Sequence, residues 1–319
     1  MHLVPVLPLA AADSAQTLRV SAEDQQVWLA RDDSSRQRLT EGPSYKSSPT
    51  WSPDQGQIAY FRYCPKDDCA PEIVIGELRG AVRSSFGVVS PRDNSVCASV
   101  TRIDWLEASR LGVDCHKNPS YGEYMEVDLA SRRVLRSWLG HGFAWSPDRR
   151  RLAYAGWNPH FSPPFAHPDS LRIDRSPVYP PEAVRQIPAA IGLWDLPVNY
   201  QAPEQGGLYR GIHEFSSRPV WSPDGKWVAL LDRVYDWQWV DGNQQDGERN
   251  IRYEAVVASA DGSWSACEMA RPAGPATLSW IDPGSLRLET NAVRCHLALQ
   301  GGKLSLTGCE TLPSATIDQ

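Results

Sequence analysis

Residues 219–231 read PVWSPDGKWVALL, and the tetrad Trp-Ser-Pro-Asp at their centre decides the fold. It occurs at Trp51–Asp54 (WSPDQGQIAY), at Trp145–Asp148 (WSPDRRRLAY) and at Trp221–Asp224. The chemistry of the string is that of a tight turn. Proline fixes φ at an early turn position, and an aspartate can accept from a backbone N–H two residues on. Gly225, next in the third copy, tolerates a positive φ. Trp51, Trp145 and Trp221 each close a strand with a large apolar face. A serine followed by proline has no base within the motif, so the tetrad is a poor nucleophilic site. The structural turn residues are therefore Trp51, Asp54, Trp145, Asp148, Trp221 and Asp224.

The surroundings of the tetrad recur as well. A β-rich run follows each copy: Ile58-Ala59-Tyr60, Leu152-Ala153-Tyr154 and Val228-Ala229-Leu230. Two degenerate copies, IDWLEASRLGVD at Trp105 and LSWIDPGSLRLET at Trp280, keep the pattern. The tryptophans are spaced by 54, 40, 76 and 59 residues, a repeat with insertions. Short strands repeating at this length predict a β-propeller.

The pattern W-S-P-D-G-K-x-[IV]-A at Trp221–Ala229 resembles the repeat of TolB-type and tricorn-type β-propellers. The stretch VWLARDDSSRQRLTEGPSYKSSPTWSPDQGQIAY, residues 27–60, matches the longer frame of that repeat. The resemblance covers roughly residues 17–310 and implies an all-β fold.

Five strand A to strand B turns place blades at about residues 47–87, 100–137, 142–214, 218–271 and 276–309. Residues 17–40 add three strands without a preceding innermost strand. An unpaired sheet edge is a liability, so the ring is expected to close. The expectation is a six-bladed β-propeller of four-stranded antiparallel blades, its closing blade shared between N- and C-terminal segments. Residues 314–318 are the candidate missing strand and residues 2–8 the competitor. Residues 15–319 then form one domain.

All tetrad turns join strand A to strand B and are expected to ring one face. The long insertions, which fall between strands B and C, mark the opposite, top face as the place where a site is sought. The largest departure from the repeat is a proline-rich insertion at 157–188, with eight of the chain's 26 prolines. The next is a long hairpin in which Tyr235, Trp237 and Trp239 alternate and share one face. Together they nominate Trp157, His160, Phe161, Phe165, His167, Tyr179, Tyr235, Trp237 and Trp239 as ligand or partner contacts. The competing reading is that the loop covers the aromatic stripe as a satellite core.

No G-x-S-x-G, H-E-x-x-H, phosphate loop or dinucleotide fingerprint is present, so no catalytic residue is nominated. His160, His167 and Asp169 are metal-capable but not diagnostically spaced. No cofactor is expected. The favoured function is a noncatalytic binding propeller that recruits a protein or peptide partner through these top-face insertions between strands B and C; a glycan is the other partner considered. The alternative is a propeller-type lyase or hydrolase, metal-dependent or not, acting on a polysaccharide or peptide at the same face. A third is an architectural subunit of an envelope assembly.

A formal charge of −6 argues against nucleic acid. The apolar run Leu3–Ala12 is too short to span a bilayer. Residues 1–14 read as a signal-peptide remnant, with Ala10-x-Ala12 before Asp13, or as a disordered tail. Seven cysteines without a C-x-x-C pair suit disulfides: Cys64 with Cys69, Cys97 with Cys115, and Cys295 with Cys309 across the turn at Gly301-Gly302. Cys267 is left over. The expected location is periplasmic or secreted, with a cytoplasmic protein of free buried thiols as the alternative. A monomer is expected.

Overall fold

The computed structural model describes residues 19–30, 35–63, 70–77, 81–117, 121–156, 169–180, 208–238, 248–272 and 276–312. Every regular element among them is a β-strand. The chain divides into two compact units, one of residues 1–89, 93–112 and 127–133, the other of residues 90–92, 113–126 and 134–319.

In the first unit, β1 (Arg19–Glu23), β2 (Gln26–Ala30) and β3 (Arg36–Arg38) form a three-stranded antiparallel sheet. Next, β4 (Tyr45–Trp51), β5 (Gln57–Tyr63), β6 (Glu72–Glu77) and β7 (Val82–Phe86) form a four-stranded meander. Val27, Leu29 and Leu39 pack with Ile58, Tyr60 and Val74 as the core between these sheets.

A seven-stranded sheet keeps sequence order through β8 (Val100–Glu107), β9 (Arg110–Lys117), β10 (Tyr121–Asp128), β11 (Arg133–Trp145), β12 (Leu152–Ala155), β13 (Leu171–Ile173) and β14 (Ser176–Tyr179). The unit border divides β9 and β10 and falls after the first residue of β11.

The second unit continues with β15 (Leu208–Phe215), β16 (Val220–Trp221), β17 (Trp227–Gln238), β18 (Glu248–Ser259) and β19 (Trp264–Met269) in one sheet. β20 (Thr277–Asp282), β21 (Ser285–Glu289), β22 (Val293–Gln300) and β23 (Lys303–Thr311) form another. The run VALL of β17 shows why strict alternation is missing from its sequence. Val228 and Leu230 pack into one core cluster, with Leu171, Ile173 and Tyr179. Ala229 and Leu231 pack into another, with Leu278, Leu286 and Leu297. A strand covered on both faces reads as a continuous apolar run.

The tetrad forms the same turn three times. Ser52 N–H donates to Gln57 O at 2.9 Å, Ser146 N–H to Arg151 O at 2.8 Å, and Ser222 N–H to Trp227 O at 2.8 Å. The serine hydroxyl donates to the aspartate two residues on, at 2.6, 2.6 and 2.7 Å. It also accepts from the N–H five residues on, at 2.9, 3.0 and 3.0 Å. The aspartate's same oxygen accepts from Gly56, Arg150 or Lys226 N–H. Ser52, Ser146 and Ser222 are buried, so their hydroxyls are committed to the turn. After proline and aspartate the chain enters the left-handed region, at φ 56° for Gln55, 59° for Arg149 and 67° for Gly225. A type I turn followed by such a residue is a standard hairpin closure.

The tryptophans supply a second regularity. Trp105 Nε1 donates to Thr50 O, Trp221 Nε1 to Ala144 O and Trp280 Nε1 to Val220 O, at 3.2, 2.9 and 3.0 Å. Each acceptor is the residue just before the tryptophan of an earlier repeat. Trp145 Nε1 instead donates to Tyr124 Oη at 2.7 Å. Trp51 Nε1 is buried and has no partner among the described residues.

Three features differ from the sequence-based frame. First, β11 runs unbroken where two blades were to be separated. Gly140 and Gly142 let it bend, and a side chain at Gly140 would meet Ala155 O at 2.2 Å. Second, residues 171–179, expected inside the proline-rich insertion, form the hairpin β13–β14 on β12. Asp174, at φ 57°, makes its turn, and Pro177 sits on the outermost strand, where a missing N–H is tolerated. Third, β15, assigned to the blade before, pairs with β17 from Leu208↔Gln238 to Phe215↔Asp232. There are five sheets among the described residues, and six closed blades are not among them. Residues 1–14 and 314–318 lie outside the described residues.

Candidate functional site

In each tetrad hairpin the turn marks one end, and the chemistry gathers at the other. On β11 the bend Gly140-His141-Gly142 lies at the open end of the β11–β12 hairpin, where His141 pairs with Ala155. His141 Nε2 is 3.3 Å from Asp169 Oδ1. Asp169 is buried, its other oxygen accepts from Phe215 N–H at 2.7 Å, and its own N–H donates to His213 O at 2.9 Å. The metal-capable Asp169 is thus occupied in tying the segment before β13 to β15. Among the described residues no group of three or more His, Cys, Asp or Glu is placed to hold a metal.

On β17 the wholly buried Asp232 gathers two donors on one oxygen. Tyr179 Oη donates to Oδ2 at 3.0 Å, and His213 Nδ1 lies 2.6 Å from the same atom. A carboxylate only accepts, so Nδ1 carries the proton and Nε2 is the nitrogen left for other work. Asp232 Oδ1 is buried without a hydrogen-bond partner among the described residues. The Tyr179 ring meets the His213 ring edge-on at 5.6 Å and that of Trp264 at 4.9 Å. Burial, then the negative charges of Asp232 and Glu254, push the Tyr179 hydroxyl far above its usual range, so it stays a donor. Burial also pushes the Tyr235 hydroxyl well above its usual range, and that hydroxyl has no partner among the described residues. The pair His213–Asp232 is an oriented base; chemistry would need a nucleophile or substrate at Nε2.

Two open clefts also lie at turn-distal hairpin ends. In the first unit, Tyr45, Ser47, Phe61 and Tyr63 with Ala98, Ser99 and Val100 line a cleft of about 480 Å³. Tyr45 pairs with Tyr63 and Ser47 with Phe61 across β4 and β5. The two tyrosine rings are 6.3 Å apart and each is 39% exposed, so both have free faces. In the second unit, Thr277, Ser279, Arg287, Glu289, Thr290 and Asn291 line a polar cleft of about 360 Å³ on β20 and β21.

Of the residues nominated from sequence, Tyr179 and Tyr235 are each 1% exposed, so neither ring presents a free face. Trp237 lies on β17 opposite Tyr209 and Glu248. Trp157, His160, Phe161, Phe165, His167 and Trp239 lie outside the described residues, as do Cys64 and Cys69. Cys295 and Cys309 are cross-strand partners joined by a disulfide. Cys97 and Cys115 are both disulfide-bonded, and Cys267 is free. Sequence reasoning passed over Tyr45, Tyr63, His141, His213 and Asp232. For the first two, counting outward from Trp51↔Ile58 sets residue 45 opposite residue 64, one position off the observed Tyr45↔Tyr63 pair, because the register shifts between Ser47 and Thr50.

No family profile matches the chain, and no curated protein matches it. Among solved structures it is similar to the hydrazine synthase of Kuenenia stuttgartiensis, at 11% identity and TM-score 0.48, over 86% of this chain and 70% of that one. It is similar to TolB from Acinetobacter baumannii at 14% and 0.35, over 91% of this chain and 65% of TolB. It is also similar to a periplasmic gluconolactonase of Pseudomonas aeruginosa at 14% and 0.41, over 92% and 82%. With every score below 0.5, none of these carries a functional argument.

Proposed function

We propose that this chain is a noncatalytic binding propeller, six-bladed with a closing blade completed by a terminal segment, which takes its partner at the turn-distal ends of its hairpins. One observation carries the functional reading. Clefts recur at the same place in two repeats, at Tyr45/Tyr63 on β4–β5 and at Thr277/Glu289 on β20–β21. The turns at the other ends are saturated with their own hydrogen bonds and have little left to offer a ligand. The Cys295–Cys309 bridge supports an oxidising location, periplasmic or secreted.

The test is photo-crosslinking in extracts of the native host, with a photoreactive residue at Ser99, an exposed residue lining the cleft, or at exposed Gln55 in the turn. The expected outcome is a discrete adduct from position 99, competed by unmodified protein and lost with Tyr45→Ala, and none from position 55. Equal adducts from both positions, or none from either, would overturn the reading.

A second reading, a propeller-type lyase or hydrolase, is favoured by the oriented His213–Asp232 pair. Under that reading His213→Gln abolishes turnover of a polysaccharide or peptide substrate while the thermal midpoint changes little.

A further inference from the structure

The first-unit cleft has a composition that selects a ligand. None of its seven lining residues is charged. The charges of the hairpin sit at the alternate positions, because successive side chains of a strand point to opposite faces. Lys46 and Arg62 pair across β4 and β5 between the tyrosine pair and the Ser47–Phe61 pair. Lys46 is buried with Nζ bonded to Glu41 O at 2.8 Å, and Arg62 pairs with Glu72. A neutral face has thus been separated from a charged one by strand periodicity alone.

The neutral face carries four hydroxyl groups, on Tyr45, Ser47, Tyr63 and Ser99, beside two partly exposed rings. Each hydroxyl can both donate and accept. The cleft is also held in shape. Ser48 Oγ donates to Val100 O at 3.2 Å, and Trp105 Nε1 to Thr50 O at 3.2 Å, fixing one wall to the other. Cys97 N–H donates to Val88 O at 2.8 Å and anchors the segment leading to Ser99. These bonds also occupy the Thr50 and Val100 carbonyls, two acceptors an added peptide strand would seek at this edge. About 480 Å³ falls within the usual range of small-molecule sites, roughly 300–1,000 Å³.

We infer that the Tyr45–Tyr63 cleft binds a neutral saccharide, with sugar C–H faces against the two tyrosine rings and sugar hydroxyls bonded to Ser47, Ser99 and the tyrosine hydroxyls. This rests on the binding reading above and names its ligand class. An uncharged, polyhydroxylated ligand with apolar ring faces matches a pocket whose described lining residues offer rings and hydroxyls and no ion. An acidic or basic ligand would find no counter-ion among those described residues.

The experiment is isothermal titration of the full chain with maltotetraose, cellotetraose and tetra-N-acetylchitotetraose. Tetragalacturonate and a decaproline peptide serve as the charged and peptide arms. The expected result is binding of at least one neutral tetrasaccharide, with Kd in the range of about 10 μM to 1 mM. Tyr45→Ala and Tyr63→Ala weaken it by about tenfold or more, the loss of a stacking ring being worth roughly 1.4 kcal/mol. Tyr63→Phe, which keeps the ring and cannot be blamed on unfolding, weakens it only about threefold to tenfold. Raising sodium chloride from about 50 to 500 mM leaves the affinity unchanged, because no ion pair is screened. Absence of neutral saccharide binding up to about 5 mM, or binding indifferent to both tyrosines, would overturn the assignment. So would binding of decaproline or tetragalacturonate alone. In those cases a position-99 crosslink still upholds the binding reading, so the two failures are told apart.

Discussion

Trp221 donates its indole N–H to the backbone carbonyl of Ala144, 2.9 Å away and 77 residues earlier in the chain. Trp280 repeats the arrangement with Val220, and Trp105 with Thr50. A turn motif that ends one strand therefore also ties it to the strand of an earlier repeat. The predicted consequence is unequal cost. Trp221→Phe and Trp280→Phe lose a hydrogen bond and leave a carbonyl unpaired, about 1–3 kcal/mol beyond the lost ring volume. Trp51→Phe costs less, since Trp51 Nε1 has no partner among the described residues. Urea unfolding of the three variants checks this, and equal destabilisation would contradict it.

The turn itself makes a prediction with two signs. Arg149 is held at φ 59° with a side chain that pays for the left-handed conformation, whereas Gly225 occupies the same position at 67° without cost. Arg149→Gly is expected to stabilise by about 0.5–1 kcal/mol and Gly225→Ala to destabilise by about 1 kcal/mol. A methyl at Gly225 meets Pro147 at an ordinary 3.6 Å, so its cost is conformational. Differential scanning calorimetry should move the midpoints in opposite directions.

The buried Asp232 network predicts an alkaline limb. Tyr179 titrates far above its ordinary value of 10.0 because burial and the neighbouring carboxylates oppose its anion. Its contribution is complete below about pH 10 and is lost as pH rises beyond that, because the unfolded chain ionises first. Tyr60, Tyr154 and Tyr235 shift the same way, so Tyr179→Phe should flatten the limb without abolishing it. The same variant should cost about 1 kcal/mol at neutral pH. Urea midpoints measured from about pH 8 to 11 decide this; an unchanged slope would contradict it.

The acid limb has its own cause. Asp54, Asp148 and Asp224 lie below the ordinary 3.8 first because a serine hydroxyl bonds their charged form and then because a turn N–H does. Asp261 is brought down to about 2 by Ser259 and Ser263 in a turn of the same design. Stability from these bonds is present above about pH 3.8 and is lost as pH falls, for Asp261 through about 2. Asp261→Asn should reduce the loss of stability between about pH 4 and 2. The check is the thermal midpoint across that window against the parent chain.

The repeat was legible because its chemistry is local. A tetrad fixes a turn, the turn fixes the pairing on each side, and Trp51↔Ile58 and Trp221↔Val228 follow from counting outward. Legibility failed where one residue upset the count. A bulge between Ser47 and Thr50, with Ser48 at φ 53°, shifts β4, and the Tyr45–Tyr63 pair was not reached. Proline content hid β13–β14, although Leu171/Ile173 and Val178/Tyr179 bracket a two-residue turn. The sharing of Asp232 by Tyr179 and His213 was out of reach, because it depends on β15 joining β17 across more than fifty residues of separation for the tyrosine. No spacing rule in a single chain encodes such a meeting.

The central claim is a division of labour along one hairpin: the Trp51 turn builds the fold and the Tyr45–Tyr63 end binds. Its most direct measurement is a crossed comparison of Asp54→Ala with Tyr63→Ala, reading the thermal midpoint and the position-99 crosslinking yield of each. The account predicts that Asp54→Ala lowers the midpoint by about 2–4 °C with the yield unchanged. It predicts that Tyr63→Ala cuts the yield about tenfold with the midpoint unchanged. A Tyr63→Ala variant that loses stability and keeps the yield would contradict it.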